Sequence, residues 1–463
     1  MKKILLVILT FSCALYSNAQ SKANALPIGI FDSGTGGLTV MEAILRLDQF
    51  NNNTGQPGAD GKPDFGGESY QYLADQANMP YGNYAAEHKT DLLKEHILKN
   101  MGFFLSPCYV TKNDRDWQQQ KKSPVKMIVI ACNTATAYAL DDIKGFVKKS
   151  SKENIQVVGV IEAGSIAALQ YQSKNKGTIG VFATAGTVAS GGYPRTLNAL
   201  ASSYGLTNLS IVSQGGVGLA ESIDRDWNYF VDTATVVRNG YRGPSLRNDA
   251  YPIDTSLLRI YQFDNTANRI LCEYDANGSC TDLQINDPSN YVKYHLVTLL
   301  EKMLHDNLEL PLNTLILGCT HYPYLKDTIA QVLHQLYDFH QNGNYRYRKI
   351  LSENVTLIDP AVETAKAAYK TLYANHLQNS QIEKTASSDR FFISVPNTSL
   401  PEVALQPDGW FTYQYKYGRE TNKNKQYVQY VPFDNTNISK GTYERFKLVL
   451  PYVYSKLVGV LAL

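Results

Sequence analysis

An α/β architecture built on parallel sheets is the fold class this sequence predicts, on three observations. First, short apolar runs rich in β-branched residues recur at Pro27–Phe31, Lys126–Ile130, Gln156–Ile161, Thr178–Phe182, Leu209–Val212, Thr314–Leu317 and Val355–Ile358. Such runs read as strands buried on both faces. Second, helix-like stretches separate many of them, at Asp91–Met101, Ala135–Lys148, Tyr291–Leu304 and Tyr324–Leu336. Strand and helix in alternation mark a parallel sheet covered by helices. Third, 44% of residues are apolar and 19% charged, ordinary for a soluble globular chain. At 463 residues there is material for more than one core.

The N-terminus reads as a secretory signal. Lys2 and Lys3 supply the charge, Ile4 to Tyr16 the apolar run, and Ser17-Asn18-Ala19 the small residues before cleavage at Gln20. The alternative is a lipoprotein signal with Cys13 as the lipidated residue, for which Thr10-Phe11-Ser12 is a poor lead-in. No later run approaches the ~20 apolar residues of a membrane helix. The expectation is an exported protein, periplasmic or secreted, without a membrane span. Lys+Arg is 44 against Asp+Glu 42, and losing Lys2 and Lys3 balances them. A neutral chain gives no electrostatic reason to expect a nucleic-acid partner.

Five cysteines remain past the signal: Cys108, Cys132, Cys272, Cys280 and Cys319. The number is odd, so at least one thiol is free or pairs between chains. There is no Cys-x-x-Cys and no His-Glu-x-x-His, which argues against a structural zinc site.

Four stretches break the strand–helix rhythm. Asn51–Gly67 is a loop rich in Asn, Gly, Pro and Asp; Ser106–Ser123 is polar; Arg225–Pro288 and Pro401–Tyr443 are rich in Tyr and Asn. Within the third, Ala276-Asn277-Gly278 sits between apolar-containing flanks, a hairpin signal with Cys272 and Cys280 on its arms. A disulfide there suits an exported protein.

Two places share one local grammar. Val129-Ile130-Ala131-Cys132-Asn133-Thr134-Ala135 and Ile316-Leu317-Gly318-Cys319-Thr320-His321 each run from an apolar strand through a small residue to a cysteine, then toward a helix. Ligands of open parallel sheets bind at the carboxyl ends of strands. A helix N-terminus lowers a thiol's pKa from its usual ~8.5. Two such thiols on opposite faces of one α-carbon could run a two-base racemisation, one removing a proton and the other returning one. Paired structural cysteines are the plainer alternative. Asp32-Ser33-Gly34-Thr35-Gly36-Gly37 follows the first strand, and its glycines would let backbone N–H groups approach a carboxylate. His321, two residues past Cys319, could assist proton transfer or be structural.

At these residues the chain resembles glutamate racemase, of the aspartate/glutamate racemase family. The matching motifs are Phe31–Leu38, Met79-Pro80-Tyr81-Gly82, Ala131–Ala137 and Leu317–Pro323, in family order. Weaker echoes are Gly159–Glu162, Ala183–Val188 and Leu357–Pro360. The resemblance implies two pseudo-symmetric parallel-sheet α/β domains with the active site in the cleft between them. One comprises residues 25–153 and 351–463; the other comprises 154–350 with an insertion at 225–290. It implies no cofactor, neither pyridoxal phosphate nor metal. It casts Cys132 as the base toward D-glutamate and Cys319 as the base toward L-glutamate, assisted by Asp32 and His321 respectively. Ser33, Tyr81, Gly82, Asn133, Thr134, Thr187 and Thr320 would hold the substrate, with Glu221 auxiliary. The implied partner is a small amino acid, glutamate or aspartate, and a homodimer is allowed.

There are departures. The family is usually cytoplasmic and supplies D-glutamate for peptidoglycan, whereas this chain's N-terminus reads as an export signal. Ala163 stands for a family proline, and Ser213-Gln214-Gly215-Gly216 replaces a Cys-Pro-containing segment. Hydantoin racemisation and maleate isomerisation are other activities of the family. A non-catalytic exported protein that binds an amino acid or a peptidoglycan fragment is the competing class. Export also exposes thiols to oxidation. The expectation is that Cys132 and Cys319 stay free while Cys272 and Cys280 pair.

Overall fold

The computed structural model describes residues 22–461 except 113–116, 152–153, 380–388, 408, 424, 435 and 439. The expected signal at 1–19, with Cys13, lies outside the described residues. Ten strands build the two main sheets: β1 Ile28–Asp32, β2 Tyr70–Ala74, β3 Met127–Ile130, β4 Gln156–Gly159, β5 Thr178–Ala183, β6 Ser210–Gly215, β7 Leu312–Gly318, β8 Leu351–Ile358, β9 Arg390–Pro396 and β10 Val428–Pro432. The chain divides into two compact units, Met1–Ala163 with Ala361–Leu463, and Gly164–Pro360.

The first unit holds a six-stranded sheet in the order β10-β9-β2-β1-β3-β4. Its strands are parallel except β10, which runs antiparallel on β9. All residues of β1, β2 and β3 are buried, because helices cover both faces. Leu38, Val40, Met41 and Ile44 of helix Leu38–Arg46 pack on one face with Ala365 and Ala368. Leu92, Leu93, Ile97 and Met101 of helix Thr90–Leu105, with Ala139 and Ile143, pack on the other. Each fully buried aliphatic side chain contributes about 1.5–3 kcal/mol.

The second unit holds a four-stranded parallel sheet, β8-β7-β5-β6. Its core joins Leu315 and Leu317 to Val292, Leu296, Leu299 and Leu300 of helix Pro288–His305 and to Ile329 and Leu333. No described helix is long and apolar enough to cross a membrane.

Strand pairing moves both unit boundaries later than expected. β4 pairs with β3 (Met127 with Gln156), so it belongs to the first unit. β8 pairs with β7 (Thr314 with Thr356), so it belongs to the second. Local pattern identifies a strand but not which distant ladder receives it. The run Gln156–Ile161 also ends early as a strand, because helix Val160–Gln172 begins at once.

The irregular stretches are partly structured. Ser106–Ser123 forms an antiparallel pair, Cys108–Lys112 with Trp117–Lys121. Pro401–Tyr443 is not merely an appendage: it supplies β10 to the main sheet, and β9, absent from the expected strands, lies just before it. Arg225–Pro288 contains the hairpin Ile270–Tyr274 with Cys280–Ile285. Gly278 turns it with φ +78°. Cys272 and Cys280 form a disulfide with Cα atoms 5.6 Å apart, and Cys108, Cys132 and Cys319 are free. The bridge spans a sequence separation of 8 residues. Chain-entropy arithmetic for so short a loop gives about 2.5 kcal/mol. Replacing both cysteines by serine should lower the stability of the second unit by roughly that amount in urea unfolding; an unchanged midpoint would refute it.

Candidate active site

In the first unit, site residues emerge where parallel strands end together. Asp32 is in register with Ala74, and Phe31 with Ile130. Ser33, Asp75 and Cys132 therefore leave neighbouring strands at one edge of the sheet, the edge where such sheets bind ligands.

Cys132 caps helix Asn133–Ser150, and its sulfur accepts the Ala135 N–H at 3.4 Å. Its thiol lies 3.6 Å from Ser33 Oγ and donates to it. The helix N-terminus was expected to lower this thiol's pKa, and the structure corrects that. Burial pushes the Cys132 thiol up to about 12, the Asp32 charge adds to the push, and the hydrogen bonds with Ala135 and Ser33 only pull part way back. At neutral pH the group is a thiol, ready to give a proton.

The glycine loop also departs from expectation. Asp32 Oδ2 accepts the N–H groups of Gly34 and Gly37, both at 3.0 Å. The loop thus encloses the protein's own carboxylate, and these two donors are not open to a substrate anion. Close approach explains Gly37: a Cβ there would sit 2.5 Å from Asp32 Cβ.

Tyr81 is buried, and its hydroxyl donates to Asp75 Oδ2 at 2.5 Å, so its side chain braces the loop from within. Asp75, fully buried, also accepts Asn78 Nδ2 at 3.1 Å, Asn100 Nδ2 at 2.9 Å and Ser394 Oγ at 2.6 Å. Gly82 opens the short helix Gly82–Ala86 beyond the cis Met79–Pro80 bond. Asn133 and Thr134, half-buried, form the first turn of the Cys132 helix, where exposed N–H groups favour an anion.

The second unit repeats the arrangement. Gly318 is in register with Ala183, and Ala183 with Gly215. Cys319, Thr184 and the helix Leu219–Ile223 therefore follow adjacent strand ends. A Cβ on Gly318 would meet Ala183 Cβ and Tyr193 Cε2 at 2.9 Å, so only glycine lets Cys319 leave the strand there. Thr187, buried, is held in helix Ala185–Ser190, where Thr184 Oγ1 accepts its N–H at 3.3 Å.

His321 stands among three partners. Nδ1 lies 3.7 Å from Cys319 Sγ and 3.4 Å from Thr320 Oγ1. Nε2 lies 3.0 Å from Asp224 Oδ2. Burial pulls the ring's pKa down, but the hydrogen bonds and charges of Asp224 and Cys319 outweigh it and raise it to about 10. A thiol and an imidazole at this separation form a proton-exchange pair. Glu221 lies close enough to influence His321, yet the carboxylate bonded to the ring is Asp224, three residues further on.

The expected residues thus fall into two groups, Asp32, Ser33, Tyr81, Gly82, Cys132, Asn133 and Thr134 in one unit, and Thr187, Glu221, Cys319, Thr320 and His321 in the other. Sequence reasoning missed Asp75 and Asp224. The signal for Asp75 was present, since it directly follows a buried strand, one position past the end that Asp32 occupies on its neighbour. Asp224 sits one helical turn past Glu221. Among the described residues no cluster of His, Cys, Asp and Glu could hold a metal ion.

No family profile matches the chain. Curated relatives do. A glutamate racemase of Oceanobacillus iheyensis is 26% identical over 352 residues, 76% of this chain and 81% of that protein. One of Trichodesmium erythraeum is 26% identical over 383 residues, 83% of this chain and 92% of that protein. Among solved structures, a glutamate racemase isoform of Bacillus anthracis matches with a TM-score of 0.46 and 24% identity, covering 80% of this chain and 88% of that one.

Proposed function

We infer that this chain, homologous to curated glutamate racemases over most of its length, is an amino-acid racemase of that family: an isomerase that interconverts L- and D-glutamate, with aspartate the nearest alternative. The observation that carries the reading is the matched pair of buried thiols, each at the carboxyl end of a buried parallel strand and each with its own polar partner. Binding alone needs neither thiol.

The chemistry follows from the two settings. Cys319, exchanging its proton with His321, takes the α-proton of L-glutamate. The Cys132 thiol, held protonated by burial and Asp32, gives a proton to the opposite face. One C–H bond breaks and one forms, and the protein ends with its proton on the other sulfur. The reverse cycle starts from D-glutamate with Cys132 as base. Following the family resemblance, the reaction is cofactor-independent. Asn133 and Thr134 offer helix N-terminal donors to a substrate carboxylate, while Ser33, Gly82, Thr187 and Thr320 complete the polar contacts.

The test is proton NMR of L-glutamate, and separately L-aspartate, incubated with the protein in deuterated water. The expected result is loss of the α-proton signal together with decay of optical rotation to zero. A ligand that protects the protein from thermal unfolding while its α-proton persists would instead identify a binding protein.

A further inference from the structure

We propose that Asp224 is the positioning residue for Cys319, holding the His321 ring so that Nδ1 faces the sulfur. The proposal rests on the racemase reading for its function, but its geometry stands independently. Asp224 Oδ2 lies 3.0 Å from Nε2, and Nδ1 lies 3.7 Å from Cys319 Sγ. A bond to one imidazole nitrogen decides what the other presents. With Nε2 anchored, the ring cannot rotate Nδ1 away from the sulfur without breaking the bond to Asp224.

The placement of Asp224 makes no sense for its own helix. It stands at the C-terminal end of Leu219–Ile223, where backbone dipoles disfavour a negative charge. The chain then turns at Arg225 with φ +60°, and Asp226 N–H closes on Glu221 O at 2.9 Å. This turn, at the start of the Arg225–Pro288 stretch, fixes the carboxylate beside the ring. Other titratable groups around the pair include Glu221 on the same helix, Asp226 beyond it, Tyr193 and Tyr322 near Cys319, and Tyr324 at 6.4 Å between ring centroids. Of these carboxylates only Asp224 is bonded to the imidazole.

The experiment is 15N NMR of histidine-labelled protein, following the His321 ring nitrogens against pH in wild type, Asp224→Asn, Asp224→Glu and Glu221→Gln. Asp224 is 37% exposed, so its variants should fold. The expected result is a midpoint lowered by about one unit or more in Asp224→Asn, since an adjacent opposite charge is lost, with partial recovery in Asp224→Glu and a smaller change in Glu221→Gln. The alkaline limb of kcat/KM for L-glutamate should move to lower pH with the ring. An unmoved midpoint in Asp224→Asn, or an equal shift in Glu221→Gln, overturns the proposal. Ring titration needs no substrate, so it decides this point even where racemisation fails.

Discussion

Cys319→Ala should abolish racemisation, with kcat falling about 10³-fold or more in both directions, because general acid–base groups contribute roughly 10²–10⁴ each. The informative part is an asymmetry. With Cys319 gone, D-glutamate should still exchange its α-proton at Cys132, while L-glutamate should not exchange at all. Cys132→Ala should give the mirror result. The double variant should be no slower in racemisation than either single one, since groups acting in one cycle are not additive. NMR exchange run beside polarimetry measures both quantities. A Cys319→Ala protein that racemises within tenfold of wild type would remove the thiol from the mechanism, whatever the homology.

Asp75→Ala should be the most damaging structural change near the site, lowering the stability of the first unit by about 3–5 kcal/mol. Four side chains, Tyr81, Asn78, Asn100 and Ser394, donate to this one buried carboxyl group. Each buried donor left without an acceptor costs about 1–3 kcal/mol, less where the structure relaxes. Ser394→Ala, which removes a single donor, should cost only about 1 kcal/mol. Activity should fall with Asp75→Ala as well, because the Tyr81–Gly82 segment loses its brace beside Cys132. Urea unfolding by fluorescence reads the first effect. A loss under about 1 kcal/mol would mean that water or a local shift replaces the carboxyl group.

Much of the candidate site was legible locally. A cysteine after a buried strand and before a helix is a pattern of adjacent residues, and both Cys132 and Cys319 sit at the expected strand ends. The hairpin and its disulfide were legible for the same reason, since the turn residues lie between the two arms. Asp75 and Asp224 were harder to see because their importance comes from partners elsewhere. Ser394 lies far along the chain from Asp75, and His321 far from Asp224. The open glycine loop was misread because Asp32 folds back onto it, a contact that composition does not announce.

The amino-acid order by itself determined the α/β class, most of the main-sheet strands, the disulfide between Cys272 and Cys280 and the position of two thiols just past strand ends. These depend on periodicity, turn chemistry and nearest neighbours. Only the tertiary structure decided which sheet β4 and β8 join, that Pro401–Tyr443 completes the first sheet, and that Cys132 is held as a thiol while His321 leans on Asp224. Ladder pairing, burial and charge proximity are properties of distance in space, and distance in the chain does not specify them.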